Sequence, residues 1–363
     1  MISNTRSAYN EVIRIVVSAH RTVLLEYTPK PIPLDVSPGV SLICTVRDEA
    51  DTIALLLDSM LAQTRAPDEI IVNDCASRDA TAQIVAGYIA AGHPIRLVRG
   101  GHNIPTGRNN AIRHARHTLI ACTDAGLRLD PHWLARIVAP LEAGTADVVG
   151  GFFAIAPGSD FELALGATNY RDAHEIDPAT FLPFGKSVAF TRASWLHVGG
   201  YPAWASHGED LVFDLALKRA AMRFAFVPDA LVHFRPRGSF GALYRQYLLY
   251  ARGDGVAGLW GKRHAVRYAT YATGAALAAT RHPLVLALLA ASAAGYCRAP
   301  LRRVWQQSRV LPLPRRLRAL ALVPGIRVVG DLAKMIGYPI GRLRRTLVPG
   351  LAADIRQYRE GQG

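Results

Sequence analysis

The sequence predicts an α/β fold: a largely parallel sheet with helices on both faces, preceded by a short arm and followed by a mostly helical segment. Three observations predict it. Between Val40 and Phe153 short apolar runs alternate with stretches of helical apolar spacing, the signature of β-α-β units. Several runs end abruptly on polar residues, most clearly in Leu119–Pro131, where Leu-Ile-Ala-Cys-Thr gives way to Asp124 and a small-residue turn. From Tyr268 onward alanine and leucine dominate instead, next to a run of arginines.

Taken in order, residues 1–39 read as an arm, with amphipathic helical character over Tyr9–Tyr27 and an extended linker over Thr28–Gly39 that carries four prolines. Ile13–Ala19 is too short, and too interrupted by Arg14, for a secretory signal. Val40–Val46 is the first strand. Asp51 is placed to cap a helix whose apolar positions Ile53, Leu56, Leu57, Met60 and Leu61 share one face. Glu69–Asp74 and Ala80–Ala91 repeat the strand and helix. Ile95–Val98, Leu119–Thr123 and Val148–Phe153 are further strands, separated by helices around Arg108–His117 and Pro131–Leu141; Asp130 is placed to cap the latter. Pro157–Pro183 reads as an irregular excursion. Ser187–Phe190 resumes as a strand, Glu209–Ala221 as a helix, and Phe224–Phe234 as a strand interrupted by Pro228.

Size and composition allow a substantial core. The chain of 363 residues holds 42 Lys+Arg against 28 Asp+Glu, a net charge of +14 that points to anionic partners. Arg298, Arg302, Arg303, Arg309, Arg315, Arg316 and Arg318 fall in one acid-free stretch beside the most apolar segment, which favours a membrane surface over nucleic acid. Cys44, Cys75, Cys122 and Cys297 lack metal spacing and are expected to be buried free thiols.

Chemistry-bearing residues gather at strand ends, where open α/β sheets bind ligands. The first strand ends in Thr45-Val-Arg47-Asp48-Glu49, the second in Asn73-Asp74-Cys75 and the fourth in Thr123-Asp124-Ala125-Gly126. The turn after the first strand is acidic, not the Gly-x-Gly-x-x-Gly of a dinucleotide site. Acids at successive strand ends suit a nucleoside that donates hydrogen bonds, with its diphosphate held through a divalent cation.

These residues resemble a known family. Val40–Glu49, Glu69–Asp79, Gly107-Arg108-Asn109-Asn110-Ala111-Ile112, Thr123-Asp124-Ala125 and Gly208-Glu209-Asp210, in this order and spacing, are similar to the GT-A fold glycosyltransferases of family 2 over roughly Val40 to Gly255. The resemblance implies a GT-A fold, that is, a Rossmann-like nucleotide-binding sheet with helices on both faces. It also implies an inverting, nucleotide-sugar-dependent transfer of a glycosyl group, with a UDP-sugar expected as donor. By the same resemblance, Asp74 binds the base, and Thr45, Arg47 and Glu49 lie near the nucleoside. Arg108 is a candidate to meet the nucleotide phosphates, and Lys186 to touch the acceptor or the diphosphate. Asp124 belongs to the metal-binding Asp-x-Asp, and Glu209-Asp210 is the pair whose aspartate is the catalytic base. Gly126 replaces the second acid, which leaves the expected Mg²⁺ or Mn²⁺ dependence open. His233 is a candidate to complete the metal site, although a histidine in an apolar strand also suits a structural role. Lys186 and Arg108 have solvated-surface alternatives of the same kind. Tyr201 and Trp204 are placed to stack on a sugar. Gln246-Tyr247-Leu248-Leu249-Tyr250-Ala-Arg252-Gly253 resembles the Gln-x-x-x-Tyr-x-Arg-Gly segment of exopolysaccharide and lipid-linked-glycan enzymes; Arg235, Arg237, Gln246 and Arg252 are candidates to close over the diphosphate or to form the basic face of an amphipathic helix at the membrane.

The domain organisation expected is an arm (1–39), a GT-A domain (40–255) and a helical, basic, membrane-associated C-terminal region (256–363). Leu284–Tyr296 is uncharged but only about 20 Å long as a helix, short of the roughly 30 Å hydrocarbon core. Extension to Tyr268 places Arg281 mid-span, so a hairpin entering one leaflet or an interfacial pair is favoured over a full crossing. Leu317–Tyr338 is a third apolar segment. The enzyme is therefore expected at the cytoplasmic face of the cell membrane, with a lipid-linked or glycan acceptor. Two other readings stand beside it: a sugar-nucleotide nucleotidyltransferase, and a non-catalytic membrane scaffold on a degenerate transferase fold.

Overall fold

The computed structural model describes residues 15–17, 23–25 and 37–360. The chain divides into two compact units, 1–35 and 36–363. In the first, β1 (Ile15–Val17) and β2 (Val23–Leu25) pair antiparallel, Ile15 opposite Leu25. This corrects the amphipathic helix expected over Tyr9–Tyr27: the consecutive β-branched residues of Ile-Val-Val favour an extended chain. The rest of that stretch and most of the proline-rich linker lie outside the described residues.

The second unit is built on an eight-stranded mixed sheet in the order β5-β4-β3-β6-β9-β8-β10-β7. Its first half follows the alternation read from the sequence: β3 (Ser37–Val46), α1 (Ile53–Leu61), β4 (Glu69–Asp74), α2 (Thr81–Ala90), β5 (Ile95–Arg99), α3 (Ile104–His114) and β6 (His117–Asp124). These four strands are parallel, and their registers align Thr45 with both Asn73 and Asp124. The polar strand ends therefore share one edge of the sheet.

The second half is less regular. β7 (Leu127–Leu129), α4 (Trp133–Glu142), β8 (Val148–Ile155) and α5 (Asp160–Asn169) are followed by β9 (Val188–Thr191), which runs antiparallel between β6 and β8. After α6 (Arg192–His197) and α7 (Glu209–Arg219) comes β10 (Phe224–Phe234), parallel to β8. The register of β10 shifts between Phe226 and Leu231, around Pro228, whose missing N–H cannot join the ladder.

Three local expectations are corrected. α1 begins after Thr52, with no side-chain cap, so Asp51 does not cap it. α4 begins after His132, and Asp130 instead accepts the His132 N–H at 3.1 Å. The excursion Pro157–Pro183 contains a capped helix, α5, whose Ser159 hydroxyl accepts the Glu162 N–H.

The remaining chain is helical: α8 (Phe240–Ala257), α9 (Gly261–Ala279), α10 (Pro283–Gln307), α11 (Leu313–Leu347) and α12 (Leu351–Glu360). The longest of these helices packs closely on α8, where Gly337 and Gly341 approach the carbonyls of Leu248 and Arg252 too tightly for any side chain. α5 forms a second small core with these helices through Leu163, Leu243, Val304 and Val323. Ion pairs reinforce this seam: Arg303 reaches Glu175 at 2.7 Å, and Arg315 and Arg318 reach Asp160 at 2.8 and 3.2 Å. Of the seven clustered arginines only Arg303 is buried, which corrects its reading as part of one membrane-facing set, while Arg315 and Arg318 make their ion pairs at the surface. Arg298, Arg302 and Arg309 remain exposed. α10 is long and apolar enough to cross a membrane, and it exposes Leu284, Leu286 and Leu288.

Candidate active site

The edge formed by β3, β4 and β6 is closed on one side by two loops tied to each other. Asp48 accepts the Arg78 N–H at 2.7 Å, its own N–H meets Ser77 Oγ at 3.0 Å, and the N–H groups of Glu49 and Ala50 reach Thr81 and Asp79 at 2.8 and 3.0 Å. Asp48 takes a positive φ of 55° to make this turn, a conformation aspartate tolerates better than most residues. Asp74 is buried beneath the loops and accepts the Ser77 N–H at 2.9 Å. Thr45 Oγ1, at the same edge, is buried without a hydrogen-bond partner. Arg47 is half exposed.

On the other side stands a buried charge. Arg108, projected from α3, donates to Asp124 Oδ1 at 2.5 Å and to Glu209 Oε1 at 2.9 Å, and its guanidinium lies 5.2 Å from the Tyr201 ring centre. Arg108 is therefore no surface charge. Burial alone would push its pKa down, but Asp124 and Glu209 hold it well above the ordinary value. Gly185 makes room for this pair: a Cβ there would lie 2.5 Å from the guanidinium. Tyr201, expected to stack on a sugar, is instead core, buried and stacked on Phe213 at 4.1 Å. Trp204 packs edge-on to Tyr358.

The two acids that begin α7 sit differently. Glu209 is buried, and burial together with the neighbouring Asp210 pushes its carboxyl up to about 7 against the pull of Arg108. Asp210 is only partly buried; its Oδ2 accepts the Gly185 N–H at 3.2 Å. One turn on, Asp214 is fully buried with an unpartnered Oδ2, and burial, then Asp210, raise its pKa well above the carboxylate range. Lys186 follows Gly185. It is partly buried and ringed by aromatics, its ammonium 3.8 Å from the Phe234 ring centre and 5.4 and 5.5 Å from those of Phe153 and Tyr170.

Not every expected residue joins this group. His233 pairs in the sheet with Arg128; burial and that arginine lower its pKa, with Asp130 opposing. Among the described residues no three His, Cys, Asp or Glu gather as a ready metal cluster. Arg235 is committed to Glu162 at 2.8 Å, and Arg252 lies near His207 and Arg344. Gln246 donates to the Tyr250 hydroxyl at 3.0 Å. Asp214 went unread in the sequence, whereas Tyr250 is the tyrosine of the Gln-x-x-x-Tyr-x-Arg-Gly segment singled out there. The Tyr250 hydroxyl is held above its ordinary pKa first by partial burial and then, against the Gln246 hydrogen bond, by the charges of Asp210, Glu209 and Asp124. A helical i, i+4 step from Asp210 was the available signal for Asp214. The four cysteines are buried and free, as expected.

Carboxylates and fixed cations converging at the carboxyl ends of parallel strands define an α/β enzyme with a site for a charged ligand. Comparison with known proteins makes this specific. The family described as glycosyl transferase family 2 matches residues 41–193, and glycosyl transferase family group 2 matches residues 119–323. Glycosyltransferase AglE of Haloferax volcanii is 24% identical over 235 residues, covering 60% of this chain and 73% of AglE. Succinoglycan biosynthesis protein ExoO of Rhizobium meliloti is 33% identical over 121 residues, 32% of this chain, which spans only 34% of ExoO. Among solved structures, mannosyltransferase PcManGT of Pyrobaculum calidifontis, in complex with GDP-Man and Mn²⁺, aligns at a TM-score of 0.49 and 22% identity over 87% of this chain and 90% of that one. The chain belongs to glycosyltransferase family 2 and is a glycosyltransferase, which sets aside the nucleotidyltransferase and scaffold readings.

Proposed function

We propose that the chain is an inverting glycosyltransferase that moves a sugar from a nucleotide diphosphate, UDP-linked, to a hydroxyl of a membrane-linked or polysaccharide acceptor, with Asp210 as general base. The observation that carries this is the contrast within Glu209-Asp210. Glu209 is buried against Arg108, whereas Asp210 is reachable and is oriented by the Gly185 N–H. In the reaction the acceptor oxygen bonds to the anomeric carbon as the carbon–phosphate oxygen bond breaks. The proton passes to Asp210 and the nucleoside diphosphate leaves. Attack opposite the leaving group inverts the anomeric centre.

The tied loops carrying Arg47, Glu49 and Asp74, with the unpartnered Thr45 hydroxyl, form the nucleoside side; Arg108 and Asp124 form the phosphate side. Glu209 acts by positioning Arg108. The donor set near Asp124 fits a hard divalent cation, Mg²⁺ or Mn²⁺. Gly126 has an open left-handed turn, and a Cβ there would lie 4.0 Å from Glu49 Oε2, so Glu49 brings a carboxylate toward the place of the missing acid. Asp124 and Glu49 would hold the ion, with phosphate oxygens as the other ligands. Such an ion supplies positive charge to the departing diphosphate. His233, beside Arg128, is a weaker candidate ligand.

The exposed apolar face of α10, with Arg298, Arg302 and Arg309, supports attachment at the cytoplasmic face of a membrane. The succinoglycan-biosynthesis relative supports a role in cell-envelope polysaccharide synthesis. The division into 40–255 and 256–363 is kept as the proposed domain organisation. Calorimetric titration with UDP, GDP and CMP, each with Mn²⁺, Mg²⁺ or EDTA, tests the donor. Tighter binding of UDP than of the other two supports the reading, and no binding by any nucleotide overturns it.

A further inference from the structure

Lys186 has an unusual setting for a lysine at a ligand-binding edge. Its backbone is fixed, because the Lys186 carbonyl accepts the Thr123 hydroxyl at 2.9 Å, one residue before Asp124. Its ammonium stands against the face of Phe234, with Phe153 and Tyr170 completing the box, a geometry that holds a cation through ring quadrupoles rather than through a paired acid. Among the described residues it forms no ion pair. Burial disfavours its charge, and the charges of Asp124 and Asp210 oppose that effect. Arg237, on the loop after β10, is a further positive charge in reach. Gly126 stands where an Asp-x-Asp has its second acid, at the strand end that Lys186 flanks.

We propose that Lys186 is a built-in counter-ion for the donor's diphosphate, so that part of the leaving-group charge is met by the protein itself and diphosphate binding persists when the divalent cation is removed. This deepens the donor-site reading above and rests on it. A boxed, partly dehydrated ammonium keeps its position without a carboxylate partner and gains most from an arriving anion. The aromatic walls hold the stem, so substitution by methionine removes the charge while filling the box.

The experiment compares UDP with uridine, in EDTA and in Mn²⁺, for the wild-type chain and Lys186→Met. In EDTA the wild type is expected to prefer UDP over uridine, and Lys186→Met to cut that preference roughly ten-fold or more, the size of one charge-assisted contact. Uridine affinity should be unchanged. Loss of the wild-type preference in EDTA, or an unchanged preference in a folded variant, overturns the proposal. Should the variant not fold, acylation of the wild-type protein by acetic anhydride, read by mass spectrometry, gives the answer. Inorganic pyrophosphate is expected to protect Lys186 in EDTA, and equal labelling with and without it overturns the proposal. Pyrophosphate protection without binding of any nucleotide supports the counter-ion and sinks the UDP-donor reading instead, so the two failures are distinct.

Discussion

Arg108 and Glu209 lie 101 residues apart in the chain and meet at 2.9 Å inside the protein, where the same guanidinium also holds Asp124. One side chain thereby joins the parallel half of the sheet to the helix that carries the proposed base. Removal of such a charge leaves a buried carboxylate without its partner.

Arg108→Met is therefore expected to cost about 3–5 kcal/mol of stability, the penalty for stranding one member of a buried ion pair. Urea denaturation monitored by tryptophan fluorescence reads it. A cost below about 1 kcal/mol, typical of an exposed pair, would show that the pair is solvated.

Asp210→Asn retains one of the two backbone N–H bonds that the carboxylate accepts, from Gly185 and Leu211, but cannot take a proton. Turnover is expected to fall by about 10²–10⁴-fold, with nucleotide affinity little changed. Equal losses of turnover and of nucleotide binding would show that Asp210 holds the donor instead.

Glu209 sets a pH dependence. Its carboxyl rises from the ordinary 4.5 to about 7 on folding, so the folded state binds its proton more tightly than the unfolded state does. Between those values the folded chain carries more protons, and this group's contribution to stability declines as pH rises from 4.5 to about 7, then levels off. Glu209→Gln is expected to flatten that part of a stability–pH curve. A curve of the same slope in the variant would assign the dependence to another group.

At the seam between α5 and the C-terminal helices, Arg303 is buried and binds both Glu175 and the Ala167 carbonyl, the latter at 2.9 Å. Arg303→Met is expected to destabilise the chain by about 1–3 kcal/mol, the cost of leaving those acceptors unmatched. Differential scanning calorimetry would reveal this as one lowered transition, whereas a separate early transition would mean that the helices unfold on their own.

Replacement of Leu284, Leu286 and Leu288 by serine is expected to release the protein from vesicles of anionic lipid in a flotation assay. Retention of the triple variant would move attachment away from α10.

Much of this was legible in the sequence because it rests on local patterns. The parallel half of the sheet follows from periodicity, and its acids from where the apolar runs stop. Less could be read where partners are distant in the chain. Nothing near Arg108 announces Glu209, and nothing near Arg303 announces Glu175, so both arginines look like surface charges until the fold closes. Lys186 misleads in the same way, since the rings around it come from three separate segments. Tyr201 sits in a glycine-rich loop that suggests exposure, yet its ring fills the space between Arg108 and Phe213. The strand pair at Ile15 and Val23 was missed because arginine and histidine interrupt an apolar pattern that also fits a helix.

The knot between the loops after β3 and β4 has a kinetic meaning. Asp48, Ser77, Arg78, Glu49, Thr81, Ala50 and Asp79 fasten the two turns to each other without help from any ligand. On the donor-site reading proposed above, a floor finished in advance would cost an incoming nucleoside little ordering entropy, so selection among bases would fall to fit on first encounter rather than to a slow reshaping afterwards.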